Sequence, residues 1–140
     1  MSFRNAQQAL SQYRTVEVEA GAAVASPHRT VQMLFGGVLD RIARAKGALE
    51  RRDCPAKGRD IGAAIDIVAV LKSNLNLEQG GALAANLAGL YEYMIDRLLE
   101  ANRGNDSRKL DEVSVLMGEL KSGWDGIAVE VIRATEVNRP

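Results

Sequence analysis

The side chains that most often perform chemistry are scarce in this chain: one histidine, His28, and one cysteine, Cys54, in 140 residues. His28 follows Ser26-Pro27. That pair starts a helix, because Ser caps free backbone N–H groups and Pro fits the first helical position. A histidine that relays phosphate stands exposed, well inside a helix, with basic support around it. The place of His28 is instead that of a solvent-exposed first-turn residue. Ser and Thr have no second histidine and no repeated lysine motif with which to form a nucleophile–base pair. A di-metal site in a helical bundle needs inward-facing Glu and Glu-x-x-His pairs, and no carboxylate pair repeats on the apolar faces of this chain. Gly36-Gly37 and Gly80-Gly81 do not belong to a strand–loop–helix phosphate cradle. Cys54 lies between Asp53 and Pro55 in a turn and reads as an incidental thiol. The expectation is a protein that is not an enzyme and uses no metal or cofactor.

The elements that would hold these residues are helices. After Pro27, Val31, Leu34, Phe35, Val38, Leu39, Ile42, Ala45 and Leu49 recur in steps of three and four, one stripe of a helix. Arg51 and Arg52 complement the negative end of its dipole, and Asp53-Cys54-Pro55 turns the chain. A second helix carries Ile61, Ala64, Ile65, Val68, Leu71 and Leu75, with Ile67 and Val70 widening the stripe. Asn74 to Gly81 is the next turn. A third helix shows Leu83, Leu87, Leu90, Tyr91, Met94, Ile95 and Leu98, with Gly104 placed to end it as the left-handed residue. Asp106 caps a fourth, with Leu110, Val113, Leu116, Met117, Leu120, Trp124, Ile127 and Val131. Each helix would be roughly 30–40 Å long at about 1.5 Å per residue. Short turns make sequential helices antiparallel. The fold class expected is all-α: an antiparallel up-down four-helix bundle over 26–133, preceded by an N-terminal arm or short extra helix at 1–25 and followed by a frayed tail at 134–140.

Lys plus Arg equals Asp plus Glu, at 18 each, so there is no long-range field to collect phosphates and no nucleic acid is expected. No apolar run approaches the roughly 20 residues that span a bilayer, so no membrane insertion is expected. Met1 to Ala6 lacks the basic-then-apolar pattern of a signal peptide. With a lone cysteine, the reading is a cytoplasmic protein in a reducing compartment. Glycines interrupt the helical patterns at Gly36, Gly37, Gly47, Gly62, Gly89, Gly118, Gly123 and Gly126. They mark either close helix–helix contact or parts of the bundle left soft for a partner.

A bundle without chemistry acts through its surface. Met33, Ile67, Val70, Leu77 and Leu99 lie at the edges of their stripes. They belong either to a wide core stripe or to a groove that accepts an amphipathic helix.

Several runs resemble one known family. They are Ala25-Ser26-Pro27-His28-Arg29 with Gln32-Met33-Leu34-Phe35, then Gly80-Gly81-Ala82-Leu83-Ala84 with Asn86-Leu87, then Leu90-Tyr91-Glu92-Tyr93-Met94. Arg97-Leu98-Leu99-Glu100-Ala101-Asn102, Asn105-Asp106, Glu112-Val113 and Trp124 follow in order. The chain resembles the flagellar secretion chaperone FliS family over about residues 10–130. It departs at Gly36, where an acidic residue is usual, and at Thr15, where Gln is common.

The resemblance implies an all-helical export chaperone. Its partner would be the C-terminal, helix-forming segment of flagellin, kept from polymerising early and delivered to the export gate's cytoplasmic domain. An anti-sigma factor is a further partner that the resemblance suggests, and a helical adaptor for another client is the alternative. In the arm, Leu10 matches a family aliphatic position and Tyr13 a tyrosine implicated in client binding. With Val16 they are expected to cover or join the client surface. In the bundle, the expected partner-binding residues are Ile67, Val68, Leu71 and Leu75 on the second helix. On the third they are Leu87, Leu90, Tyr91 and Met94.

Overall fold

The computed structural model describes residues 27–75 and 77–137, and at 77–79 and 128–137 the backbone alone. The arm residues Leu10, Tyr13 and Val16, and the cap at Ser26, lie outside the described residues. Four helices follow: α1 (Pro27–Glu50), α2 (Cys54–Ser73), α3 (Leu77–Gly104) and α4 (Ser107–Val137). Among the described residues there is no strand. α1 packs on α2 and α4, and α3 packs on α2 and α4, so the helices run in sequence around a ring. This is the expected four-helix bundle.

The stripes close on one core. Leu34, Val38, Ile42, Ile61, Val68, Met94, Leu98, Leu110, Val113 and Met117 are each at most 1% exposed. Burying a side chain of this size stabilises by about 1.5–3 kcal/mol before entropy is charged against it. Ile67 and Val70, read as stripe-edge residues, are also buried. Met33 is half-buried and Leu99 is exposed.

Local chemistry sets the helix ends. Arg52 takes a left-handed φ of 57°. The Asp53 N–H then bonds the Ala48 carbonyl at 2.9 Å and the Arg52 N–H bonds that of Leu49 at 3.1 Å, satisfying two carbonyls that α1 would leave free. Asp53 next caps α2, its carboxylate accepting from the Ala56 N–H at 3.1 Å. Asp106 caps α4 as expected, accepting from the Arg108 N–H at 3.0 Å. At the end of α3 the left-handed residue is Asn105 (φ 50°), not Gly104. Asn tolerates that conformation through its short polar side chain, and Lys57 rewards it. The Lys57 ammonium, 7% exposed, bonds the Asn105 side chain and, at 2.9 Å, the Asn102 carbonyl.

The α2–α3 turn is tighter than the expected Asn74–Gly81 loop. One helical turn starts at Leu77 and breaks at Gly81, with φ 55° and ψ −134°. Only glycine adopts that pair readily. A Cβ on Gly80 would stand 2.5 Å from that of Ala84, so this position also needs glycine. The interior glycines behave otherwise. A Cβ at Gly36, Gly62, Gly89, Gly118, Gly123 or Gly126 would meet no atom within 4 Å. Close helix contact is therefore not what keeps them glycine. The backbone of α4 is helical to Val137.

Candidate functional site

The expected binding residues divide into two groups. Ile67, Val68, Leu71, Tyr91 and Met94 are between 0 and 4% exposed and belong to the core shared by the helices. A partner cannot touch them while the bundle is closed. Burial also pushes the Tyr91 hydroxyl up to about 12, so it stays neutral. Leu75, Leu87 and Leu90 are partly open and pack against that core. Leu83, one turn before Leu87, is 69% exposed. It follows the same three-and-four spacing, but it is turned about 100° from Ala84, which is the buried residue at this level of α3. The start of α3 thus carries an apolar strip of Leu83, Leu87 and Leu90, and Leu75, just past the end of α2, is partly open as well.

Asp66 was not singled out by its sequence position, although a carboxylate between Ile65 and Ile67 is the signal that could have found it. It lies two residues from both Ala64 and Val68, hence on the opposite side of α2 from the core stripe. It is nevertheless 2% exposed, and its Oδ1 has no hydrogen-bond partner. Val70, one turn further on, is buried too. Loss of water around the carboxylate pushes it up to about 6.

His28 departs from expectation. It is half-buried rather than solvent-exposed, because α4 brings Trp124 against the first turn of α1. The rings stack at 4.8 Å and 7°. The indole N–H donates to the His28 carbonyl at 2.9 Å, and His28 Nε2 donates to the Trp124 carbonyl at 2.7 Å. Phe35 meets the indole edge-on at 6.3 Å. Beside them Gln32 donates to Asp125 at 2.6 Å and Lys121 donates at 2.8 Å. Hydrogen bonds from Lys121 first, then Gln32, hold the Asp125 carboxyl below its usual range. The histidine is a clamp between two helices, not a free nucleophile.

The outer seam of α3 and α4 is polar. Tyr93 and Arg97 both donate to Glu112 at 2.6 Å, and Lys109 pairs with Glu100 at 2.9 Å. These bonds lower both glutamates. At the pole where the α1–α2 and α3–α4 turns meet, a cavity of about 800 Å³ is lined by Lys46, Arg52, Lys57, Glu50, Asp53 and Asp111, with Cys54 exposed on it. Its charges are mixed, and Lys46 pairs with Asp111. Among the described residues no three His, Cys, Asp or Glu converge to hold a metal, and no helix is long and apolar enough to cross a membrane.

The family model described as flagellar protein FliS matches residues 8–131. The chain belongs to the FliS family. The flagellar secretion chaperone FliSB of Pseudomonas aeruginosa is 54% identical over 123 residues, 88% of this chain and 98% of that protein. The flagellar secretion chaperone FliS of Salmonella typhimurium is 42% identical over 117 residues, 83% of this chain and 87% of its own. That of Vibrio cholerae is 40% identical over 121 residues, 86% and 89%. FliS proteins are secretion chaperones rather than enzymes, in keeping with a bundle whose one histidine is a packing residue. The FliS match begins before Leu10 and Tyr13 and runs to residue 131, so it takes in most of the arm and nearly all of the four helices.

Proposed function

We propose that this FliS-family chain is a cytoplasmic export chaperone for flagellin. It binds the C-terminal helix-forming segment, keeps it from polymerising, and aids its delivery to the export apparatus. What supports this most is an apolar strip left open on a chain of this family: Leu83, Leu87 and Leu90, with Leu75 partly open as well. A disordered client with apolar helical stripes associates with copies of itself when those stripes meet. Laying one stripe into a groove removes that option. Ordering the client costs entropy, so a wide wrapped interface of moderate net affinity is expected.

On this proposal Leu75, Leu87 and Leu90 touch the client directly, and Leu83 joins them. Ile67, Val68, Leu71, Tyr91 and Met94 act from beneath by fixing the helices, and reach the client only if the helices part. Leu10, Tyr13 and Val16 compete with the client for the same surface. Calorimetry with the flagellin C-terminal segment tests it: binding with a negative heat-capacity change is expected. No heat and no complex at high micromolar concentration would sink it.

A further inference from the structure

We infer that the outer groove between the start of α3 and the second half of α4 seats one amphipathic helix of the client, its backbone drawn close by glycines on both rims. This rests on the chaperone function proposed above.

The groove follows from register. Tyr93 and Arg97 of α3 both bond Glu112 of α4, so the two antiparallel helices meet there. Counting away from that junction sets Leu90 opposite Leu116, Leu87 opposite Leu120 and Leu83 opposite Gly123. Ile127 comes one turn further along α4. Leu83 is 69% exposed and Ile127 48%, and the other four leucines are partly open. The two walls thus hold a continuous run of large aliphatic side chains that the bundle leaves uncovered. From Glu112 to Ile127 the groove runs about 22 Å, room for about four helical turns.

The rims favour a helix as occupant. On α3, Asn86, Gly89 and Tyr93 follow helical steps along the edge that meets α4. On α4, Glu112, Glu119, Gly123 and Gly126 do the same along the edge that meets α3. The three glycines are exposed, and a Cβ at any of them would meet nothing within 4 Å. Nothing inside the bundle needs them small, and each costs helix stability relative to alanine. A rim without side chains lets the backbone of a further helix come down onto the leucines. An extended peptide fits less well, because its backbone groups find no partners on helices whose own are already paired. Charge adds to this. Glu119, on the α4 rim, is exposed and has no ion pair among the described residues. The occupant is a helix of about four turns with aliphatic residues at three-and-four spacing and a lysine or arginine that reaches Glu119.

The test uses the full chain and the flagellin C-terminal segment. Gly89→Ala, Gly123→Ala and Gly126→Ala are each expected to raise the unfolding midpoint, yet combined to weaken client binding about tenfold, as overpacking of a tight contact does. Gly36→Ala on α1, and Gly118→Ala on the other side of α4 from Leu116 and Leu120, should raise the midpoint and leave binding unchanged. Glu119→Lys should weaken binding, and reversing one cationic residue of the client should restore it, the mark of a coupled pair. Binding that is unchanged in the triple glycine variant, with the wild type binding normally, overturns the groove and leaves the chaperone function standing. Tighter binding in that variant also overturns it, since the groove would then hold a competing segment of the same chain. A wild-type dimer that the triple variant loses in sedimentation overturns it as well, since the occupant would be a second copy. A wild type that binds no client segment removes the function on which the groove rests.

Discussion

Replacing Asp66 by Asn should stabilise this protein at neutral pH and leave it unchanged in mild acid. The cause is a carboxylate that is 2% exposed, lacks a donor at Oδ1, and is pushed by burial from 3.8 to about 6. Its folded value is above its unfolded one, so the folded chain holds the proton over a window in which the unfolded chain has lost it. Below about pH 4 both states are protonated and the residue costs nothing extra. Above about pH 6 the folded state must carry the buried charge. Two units correspond to roughly 3 kcal/mol, and relaxation of the protein around the charge reduces this to about 1–2 kcal/mol. Asn is the neutral, near-isosteric counterpart of the protonated acid. The assay is urea unfolding of both proteins between pH 4 and pH 8, followed by helical ellipticity and by the fluorescence of Trp124. The difference between the two isolates Asp66 from every other titration. It should be close to zero at pH 4, grow through pH 5–6, and level off near 1–2 kcal/mol in favour of Asp66→Asn. An Asn variant that is less stable at pH 7.5, or a difference that does not change with pH, would refute the reasoning.

Other substitutions separate the roles of neighbouring residues. Met94→Ala, in the fully buried core, should cost about 2–5 kcal/mol in denaturant unfolding, whereas Leu83→Asp should leave the midpoint nearly unchanged and weaken client binding. His28→Ala removes a stacked ring and one hydrogen bond to α4, and should lower stability by about 1–2 kcal/mol by thermal melting. Gly36→Ala, Gly89→Ala and Gly118→Ala should each stabilise by about 0.5–1 kcal/mol, because the new methyl group meets nothing. Gly81→Ala should destabilise by about 1–3 kcal/mol, because its φ of 55° strains any side chain, and the same melts decide it.

Much of the fold was legible because its signals are local. Asp53, Asp106 and the Gly80-Gly81 pair each act on backbone within a few residues, and the stripes repeat at helical spacing. Asn105 was missed as the left-handed residue because its advantage comes from Lys57, 48 residues away. The role of His28 was hidden for the same reason: its partner Trp124 is 96 residues distant, and nothing in its first-turn position announces a clamp. The binding surface was read less well. Met94 and Leu90 are both apolar positions on one stripe, yet one is fully buried and the other partly open. Burial by the remaining helices decides between them, and a one-dimensional pattern does not contain that. Leu83 shows the same point in reverse: it shares the three-and-four spacing of Leu87 and Leu90, yet it is exposed while Ala84 beside it is buried.

The most direct test of the whole account is calorimetric titration of the full chain with the C-terminal segment of flagellin, with Leu83→Asp and Leu90→Asp run alongside. The account predicts a defined complex, a negative heat-capacity change, and weaker binding by both variants with their helical content intact. Equal affinity in the variants, or no complex with the wild-type chain, would contradict it.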